Sequence, residues 1–355
     1  MTKQIRVGGV PIGGGAPVMV QSMTNTDTRD VEATVAQIER LTEAGCNIVR
    51  SSVYDLACAN ALEQIKSRIR IPIVADIHFD YRLAIAAMEH GADKLRFNPG
   101  NIGDESRVRA VVDCAKVHKT PIRIGVNAGS IEPALRQKYG GATTEAMIES
   151  ALKHVALLER EGFTDIVLSL KASNVRDTVD AYRAISQRVD YPLHVGVTET
   201  GDVASGIIKS AAGIGSLLLD GIGDTIRVSL TDDPVHEVET GLKILRAVGL
   251  LKDDIELVSC PTCGRTRVNV MEMVERVNSR LPHKQGYLKI AVMGCAVNGP
   301  GEARDADIGV AFGDGNGILF EKGQQVYHGN ADDVVERLIA RAGELLSTNI
   351  EHKEL

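Results

Sequence analysis

The chain has no tryptophan, and aromatic residues make up only 3% of its 355 positions. With 35 glycines, that scarcity favours an α/β chain with many tight turns. Positive charge is not in excess: the net charge is −7, which leaves no general electrostatic case for binding nucleic acid or an anionic membrane. Basic residues that matter must therefore be concentrated locally. No apolar run is long enough to span a bilayer, and the opening MTKQIRVGGVPIGGG lacks the apolar core of a signal peptide, so the expected location is the cytosol. Six cysteines in a reducing compartment argue against a disulfide framework and towards ligands or small core residues. No GxGxxG follows the first strand-like run, which weakens a dinucleotide-binding reading.

Eight short β-branched or aliphatic runs are present: PVMVQSM from Pro17, CNIVRSSV from Cys46, IPIVADIH from Ile71, KLRFNPG from Lys94, PIRIGVNAG from Pro121, DIVLSLKAS from Asp165, PLHVGVTET from Pro192 and TIRVSLTD from Thr225. Between them lie stretches with helical apolar periodicity ending near glycine, such as VEATVAQIERLTEAG. Pro72, Pro121 and Pro192 stand at strand starts, where a missing N–H costs little. Eight uninterrupted β-then-α units predict a TIM-like (β/α)8 barrel over residues 1–252, with a doubly wound open sheet as the alternative. Beyond it, LKDDIELVSCPTCGR opens a different pattern that predicts a small α+β domain over residues 253–355.

In a (β/α)8 barrel the carboxyl ends of the strands face the functional site. By that rule the second run contributes Arg50, the third Asp76 and His78, the fourth Arg96 and Asn98, and the fifth Arg123 and Asn127. The sixth contributes Lys171, the seventh Thr198 and Glu199, and the eighth Arg227 and Ser229. One such arginine is more often a salt-bridged surface residue. Five cations from separate strands, unpaired, would repel one another and lose hydration, so together they imply a strongly anionic ligand such as a diphosphate. His78 reads equally as a satisfied core histidine or a substrate contact. Asp76 could anchor a hydroxyl or orient an arginine. Glu199, a carboxylate among cations, could donate a proton beside a developing anion. The glycine-rich GIGSLLLDGIGD reads either as a phosphate grip or as a packed helix with permissive turns.

Cys260 and Cys263 form a C-x-x-C, and Cys295 stands alone in GCAVNGPGEAR. Zinc would want a fourth cysteine or a histidine, and His283 lies between them in sequence. An iron–sulfur cluster also wants four ligands. The proline and glycines beside these cysteines leave backbone N–H groups free to approach sulfides, which favours a cluster. Cys46, Cys58 and Cys114 lack ligand spacing and read as small buried hydrophobes.

The motifs VGGVPIGGGAPVMVQSMTNTDTRD, ADIHFDYRLA, KLRFNPGNIG, RIGVNAGS, SLKAS, HVGVTETG, SCPTCGR and MGCAVNGPGEARDADIG run nearly end to end. Through them the chain resembles the bacterial 4-hydroxy-3-methylbut-2-enyl diphosphate synthase family. The resemblance implies a TIM-like barrel followed by an iron–sulfur domain, with a 4Fe–4S cluster held by three cysteines and a glutamate. The matching positions here are Cys260, Cys263, Cys295 and Glu302. It further implies reductive ring opening and dehydroxylation of a cyclic methylerythritol diphosphate, with two electrons from flavodoxin or ferredoxin. A homodimer is implied in which one subunit's cluster domain closes over the other's barrel mouth. On this footing Arg50, Arg96, Arg123, Lys171 and Ser229 would hold the diphosphate, Glu199 would protonate the departing hydroxyl, and Asn298 would contact the substrate. The competing expectations are an aldolase- or pterin-type barrel with a structural zinc domain, and a non-catalytic redox carrier.

Overall fold

The computed structural model describes residues 1–172 and 174–351 and divides into two compact units, Met1–Leu251 and a second that begins at Lys252. The first opens with a hairpin, β1 (Ile5–Val7) and β2 (Val10–Ile12), that the eight-run count did not include. The barrel strands follow as β3 (Met19–Met23), β4 (Ile48–Ser52), β5 (Ile73–Asp76), β6 (Lys94–Arg96), β7 (Ile122–Asn127), β8 (Ile166–Lys171), β9 (His194–Val195) and β10 (Thr225–Ile226). They pair in parallel in the order β8-β7-β6-β5-β4-β3-β10-β9. The parallel bridge between Leu168 and Leu193 joins the two ends, so the sheet closes on itself. The (β/α)8 barrel is thus the architecture, and the open sheet is excluded. The longer interval after β7 holds two helices, Pro133–Tyr139 and Thr144–Arg160.

Each of the eight principal barrel helices starts on a capping side chain: Asp30, Asp55, Asp80, Asp104, Thr143, Asn174, Asp202 or Asp233. Each accepts a hydrogen bond from a backbone N–H of the first turn, satisfying a donor the helix leaves orphaned. These caps lie at the strand-to-helix loops and stop each loop at a defined point. The loops they delimit carry the mouth residues.

The hairpin closes the opposite end. Ile5, Val7 and Ile12 pack on Ile48, Val74 and Val167, the lowest inward residues of β4, β5 and β8. The barrel therefore has an apolar floor, and only above it does the interior turn polar. GIGSLLLDGIGD proves to be the end of the helix Val203–Leu219 and its turn into β10, on the floor side, so the packed-helix reading holds.

The second unit is a five-stranded sheet ordered β11 (Ile255–Ser259), β12 (Leu288–Met293), β13 (Ile308–Phe312), β14 (Asn316–Glu321) and β15 (Gln324–Asn330). The first three strands are parallel and the last two antiparallel. Helices Val270–Arg280 and Ala331–Glu351 pack on the sheet; Val277, Leu338 and Leu346 share a core with Ile290, Val310 and Phe312. Among the described residues no helix is long and apolar enough to cross a membrane.

The floor gives the first expected outcome. Ile12→Ala opens a cavity beneath the polar interior and costs about 2–5 kcal/mol. Urea unfolding followed by circular dichroism reads it, and a midpoint equal to the parent's would show that the hairpin does not hold the floor.

Candidate functional site

The barrel mouth forms because every strand alternates inward and outward positions. From β4 to β8, inward positions hold Arg50, Asp76, Arg96, Arg123 and Lys171: Asp76, Arg96 and Lys171 close their strands, Arg50 is in the middle of β4, and Arg123 is the second residue of β7, in register with Arg96. All are buried except Arg96, which is half-buried. Asp76 lies 3.6 Å from Arg50 Nε and 3.0 Å from Arg96 Nη1. Arg50 also donates to the Met23 Sδ at 2.8 Å. Arg227, just beyond β10, pairs at 3.3 Å with Glu237, a buried residue of the helix Pro234–Ala247. Three of the five cations are therefore paired, a correction to the picture of five unpaired charges. Two acids, Asp76 and Glu237, pair with those three, and among the described residues Arg123 and Lys171 have no ion pair.

Electrostatics follow from burial. Arg123 has its Nε and Nη1 without a hydrogen-bond partner, and its basicity is lowered by burial and by Arg50 and Arg96, against Asp76. Lys171 is lowered by burial and by Arg227, Arg123 and Arg50. Burial pulls Arg50 down to about 10 despite Asp76, so it stays charged at neutral pH. Burial pushes Asp76 up, but Arg50, Arg96 and Arg123 outweigh it and hold the carboxyl below its ordinary value. Gly196 makes room here: a Cβ on it would stand 2.8 Å from Lys171 Nζ.

The other predicted residues sort differently. Asn98 is buried, and its Oδ1 accepts from the Gly125 N–H at 3.0 Å, so it shapes the loop between β6 and the next helix. Asn127 ends β7 and is half-buried. His78 is exposed past β5, beside the exposed Phe79. Thr198, Glu199 and Ser229 lie in loops, because β9 and β10 are only two residues long. Glu199 is exposed with φ +53°, a left-handed backbone that a β-carbon disfavours. The Ser229 carbonyl accepts from the Thr200 hydroxyl at 2.8 Å, tying the two loops together.

The cysteine site belongs to the second unit. Cys260 follows β11 and Cys295 follows β12, and because these strands are parallel neighbours both loops emerge at one carboxyl edge. Cys260, Cys263, Cys295, Glu302 and Asn298 line one cavity of about 380 Å³, together with Arg265 and Thr266. The Gly294 N–H donates to Cys260 Sγ at 3.2 Å. Backbone N–H groups of Asn298 and Val297 lower the Cys295 thiol, and those of Arg265 with its guanidinium lower Cys263, so both favour the thiolate that metal binding needs. Among the described residues no three His, Cys, Asp or Glu side chains converge on a single ion. His283 bonds instead to Asp254 and to the Asn278 carbonyl, both at 3.0 Å. Three thiols and one carboxyl lining a single cavity are a donor set suited to a thiolate-bound metal centre. Cys46 and Cys58 are buried and Cys114 half-buried, and burial pushes Cys46 up to about 12.

Sequence reasoning passed over Lys94, His194, Gln21 and Glu237. The first three are inward residues one step below the mouth, and the alternation K-L-R of β6 was the available signal. Glu237 sits on a helix, where no strand rule could find it.

The Asp76 triad gives a second expected outcome. Asp76→Asn leaves two guanidiniums without their carboxylate and costs about 3–5 kcal/mol in anion-free buffer. Pyrophosphate then raises the variant's thermal midpoint more than the parent's, whereas unchanged stability would remove Asp76 from the charge balance. With a native value below the unfolded one of about 3.9, Asp76 contributes fully above that range and loses its contribution as pH falls through the native value.

Comparison with known proteins places these features. Residues 2–242 match the GcpE TIM-barrel domain and residues 256–344 the GcpE protein C-terminal domain. A protein of Caldanaerobacter subterraneus subsp. tengcongensis named 4-hydroxy-3-methylbut-2-en-1-yl diphosphate synthase (flavodoxin) is 60% identical over 324 residues, 91% of each chain. One of the same name from Geobacter sulfurreducens is 56% identical over 98% of each. Among solved structures, the Yersinia pestis dihydropteroate synthase superposes with a TM-score of 0.51 at 13% identity, covering 70% of this chain and 98% of its own; it shows the barrel fold alone. With both domains matched in order and relatives this similar over nearly the whole length, the chain belongs to the GcpE family of 4-hydroxy-3-methylbut-2-en-1-yl diphosphate synthases.

Proposed function

We propose that the chain converts 2-C-methyl-D-erythritol 2,4-cyclodiphosphate to 4-hydroxy-3-methylbut-2-enyl diphosphate by two-electron ring opening and dehydroxylation. The observation that carries it is the mouth, where among the described residues Asp76 and Glu237 are the only acids paired with the five cations, through Arg50, Arg96 and Arg227, and Arg123 and Lys171 are left without one. A diphosphate supplies the missing negative charge and accepts the unspent donors of Arg123. In this reading residues 1–252 bind substrate and 253–355 are the cluster domain.

Arg50, Arg96, Arg123 and Lys171 fix the diphosphate, and His78, Asn127, Thr198 and Ser229 border the rest of the substrate at the loop level. Asn98 holds its loop through Gly125. Glu199 takes up a proton as negative charge gathers beside it and hands it to the departing hydroxyl, which leaves as water. A 4Fe–4S cluster held by Cys260, Cys263, Cys295 and Glu302 would supply the two electrons. Asn298, at the start of the helix Gly299–Arg304, lies with those ligands and would hydrogen-bond the substrate.

The relatives' names carry flavodoxin, and we take flavodoxin, or a ferredoxin in its place, as the donor. Thiolate ligands need a reducing compartment, which suits the cytosol. The expected assembly is a homodimer with one subunit's cluster domain serving its partner's barrel, and the exposed apolar Ile207 and Ile208 of the helix Val203–Leu219 offer surface for a second copy.

Anaerobically purified protein should carry iron and acid-labile sulfide and turn over the cyclodiphosphate with a chemical reductant. Stoichiometric zinc without sulfide, or no turnover by a loaded enzyme, would overturn the assignment. Glu199→Gln should lose about 10²–10⁴-fold in turnover with the cluster's absorbance intact. Glu199→Gly should lose as much yet keep or gain stability, since glycine accepts the left-handed backbone freely. Active Glu199→Gln enzyme removes its role.

Mixing subunits tests the shared site. Glu199→Gln and Cys295→Ser chains, each inactive alone, should regain activity when co-refolded. A mixture as inactive as its parts would place each barrel with its own cluster.

A further inference from the structure

Beneath the mouth residues and above the apolar floor lies a tier that the proposed mechanism does not use. Lys94 is one inward step below Arg96 on β6, and His194 pairs with Thr225 one step below Gly196 and Arg227. Both have no solvent exposure. Lys94 Nζ donates to Gln21 Oε1 at 3.2 Å, and β6 and β3 are separated by β5 and β4, so the bond crosses the barrel interior. His194 Nδ1 meets Thr225 Oγ1 at 2.8 Å, and the Tyr182 hydroxyl donates to the His194 carbonyl. The remaining polar atoms have nothing to bond: Gln21 Nε2 and His194 Nε2 have no partner, nor do Nε and Nη1 of Arg123 above them. Among the described residues no carboxylate bonds to the side chains of Lys94, Gln21 or His194. Asp76 and Glu237 are spent on Arg50, Arg96 and Arg227.

An ammonium buried without a counter-ion is costly, and so is a set of buried donors without acceptors. The geometry leaves one economical arrangement: the tier is uncharged while the mouth is empty and becomes charged when an anion arrives. We propose that Lys94, with His194 beside it, is a positioning residue for the diphosphate, taking up a proton when the anion docks on Arg123 and its neighbours and so completing the positive charge beneath it. The inference rests on the diphosphate reading of the mouth.

The groups that act on the tier agree. Lys94 is lowered well below its ordinary value by burial, then by Arg123 and Arg50. His194 is lowered by burial, then by Arg123, Lys171, Lys94 and Arg50. Every charge named here is positive, so a docked anion reverses the sign of the local field and draws the proton in. Without ligand, the unfolded chain binds protons that the folded barrel refuses, and the stability of the free enzyme rises with pH across that interval.

Anaerobic calorimetric titration of the holoenzyme with the cyclodiphosphate, in two buffers of different ionisation enthalpy near neutral pH, counts the protons. The parent enzyme should take up protons on binding. Lys94→Met should take up fewer and bind about tenfold or more weakly, yet its free form should be more stable than the parent because no buried amine remains to be kept neutral. His194→Asn should lower the count as well. Binding by the parent without proton uptake overturns the inference and leaves the substrate reading standing. No binding heat at all overturns both. A Lys94→Met enzyme that is less stable and binds as tightly as the parent assigns Lys94 a packing role and overturns the inference.

Discussion

Inside the barrel, Asp76 lies between Arg50 and Arg96, and this triad sets the terms for every other charge in the interior. Two unit charges at such distances interact with about 4 kcal/mol at the effective dielectric of a partly wet protein. One carboxylate can hold two guanidiniums close to each other, but it cannot also neutralise Arg123 and Lys171. Those two are left with desolvation and repulsion, which pull their basicity down. The fold tolerates this because the strands and the capped helices fix each side chain's origin, and the hairpin seals the interior from below. Stability is set against readiness: the barrel keeps buried donors of Arg123 unsatisfied, and in the proposed reading an anion finds them already in place.

The second unit solves a different problem with the same topological device. Parallel strands send their following loops to one edge, and β11 and β12 use this to bring the two cysteine segments together. The glycine and proline positions around Cys295 let backbone N–H groups turn towards sulfur, and the lowered Cys295 and Cys263 thiols are the result. In the barrel, the positive field comes from side-chain cations. Around the cysteines, much of the positive field comes from backbone dipoles, which carry no net charge and compete with no ligand.

Much of the fold was legible because it is periodic. Eight strand-like runs separated by helical stretches favoured a closed parallel sheet over an open one, and the strand-end rule pointed to Asp76, Arg96 and Lys171, while Arg123 joins them from the start of β7 through its register with Arg96. The rule failed where strands are short. Thr198, Glu199 and Ser229 follow two-residue strands, so their placement depends on loop conformation, and the left-handed backbone of Glu199 has no sequence signature. The hairpin at the floor lay outside the eight-run count. Its two three-residue strands are too short to show a period.

The sequence by itself determined the chemical inventory and its order: which cations end which strands, where the helices are capped, and which three cysteines and one glutamate share a domain. These are local properties, written in period, cap and spacing. Only the tertiary structure decided how charge is balanced. That Arg50 and Arg96 share Asp76, that Arg227 takes Glu237 from a helix, and that Lys94 reaches across the interior to Gln21 are contacts between distant segments. Closure of the barrel creates them, and no pattern along the chain encodes which acid will meet which base.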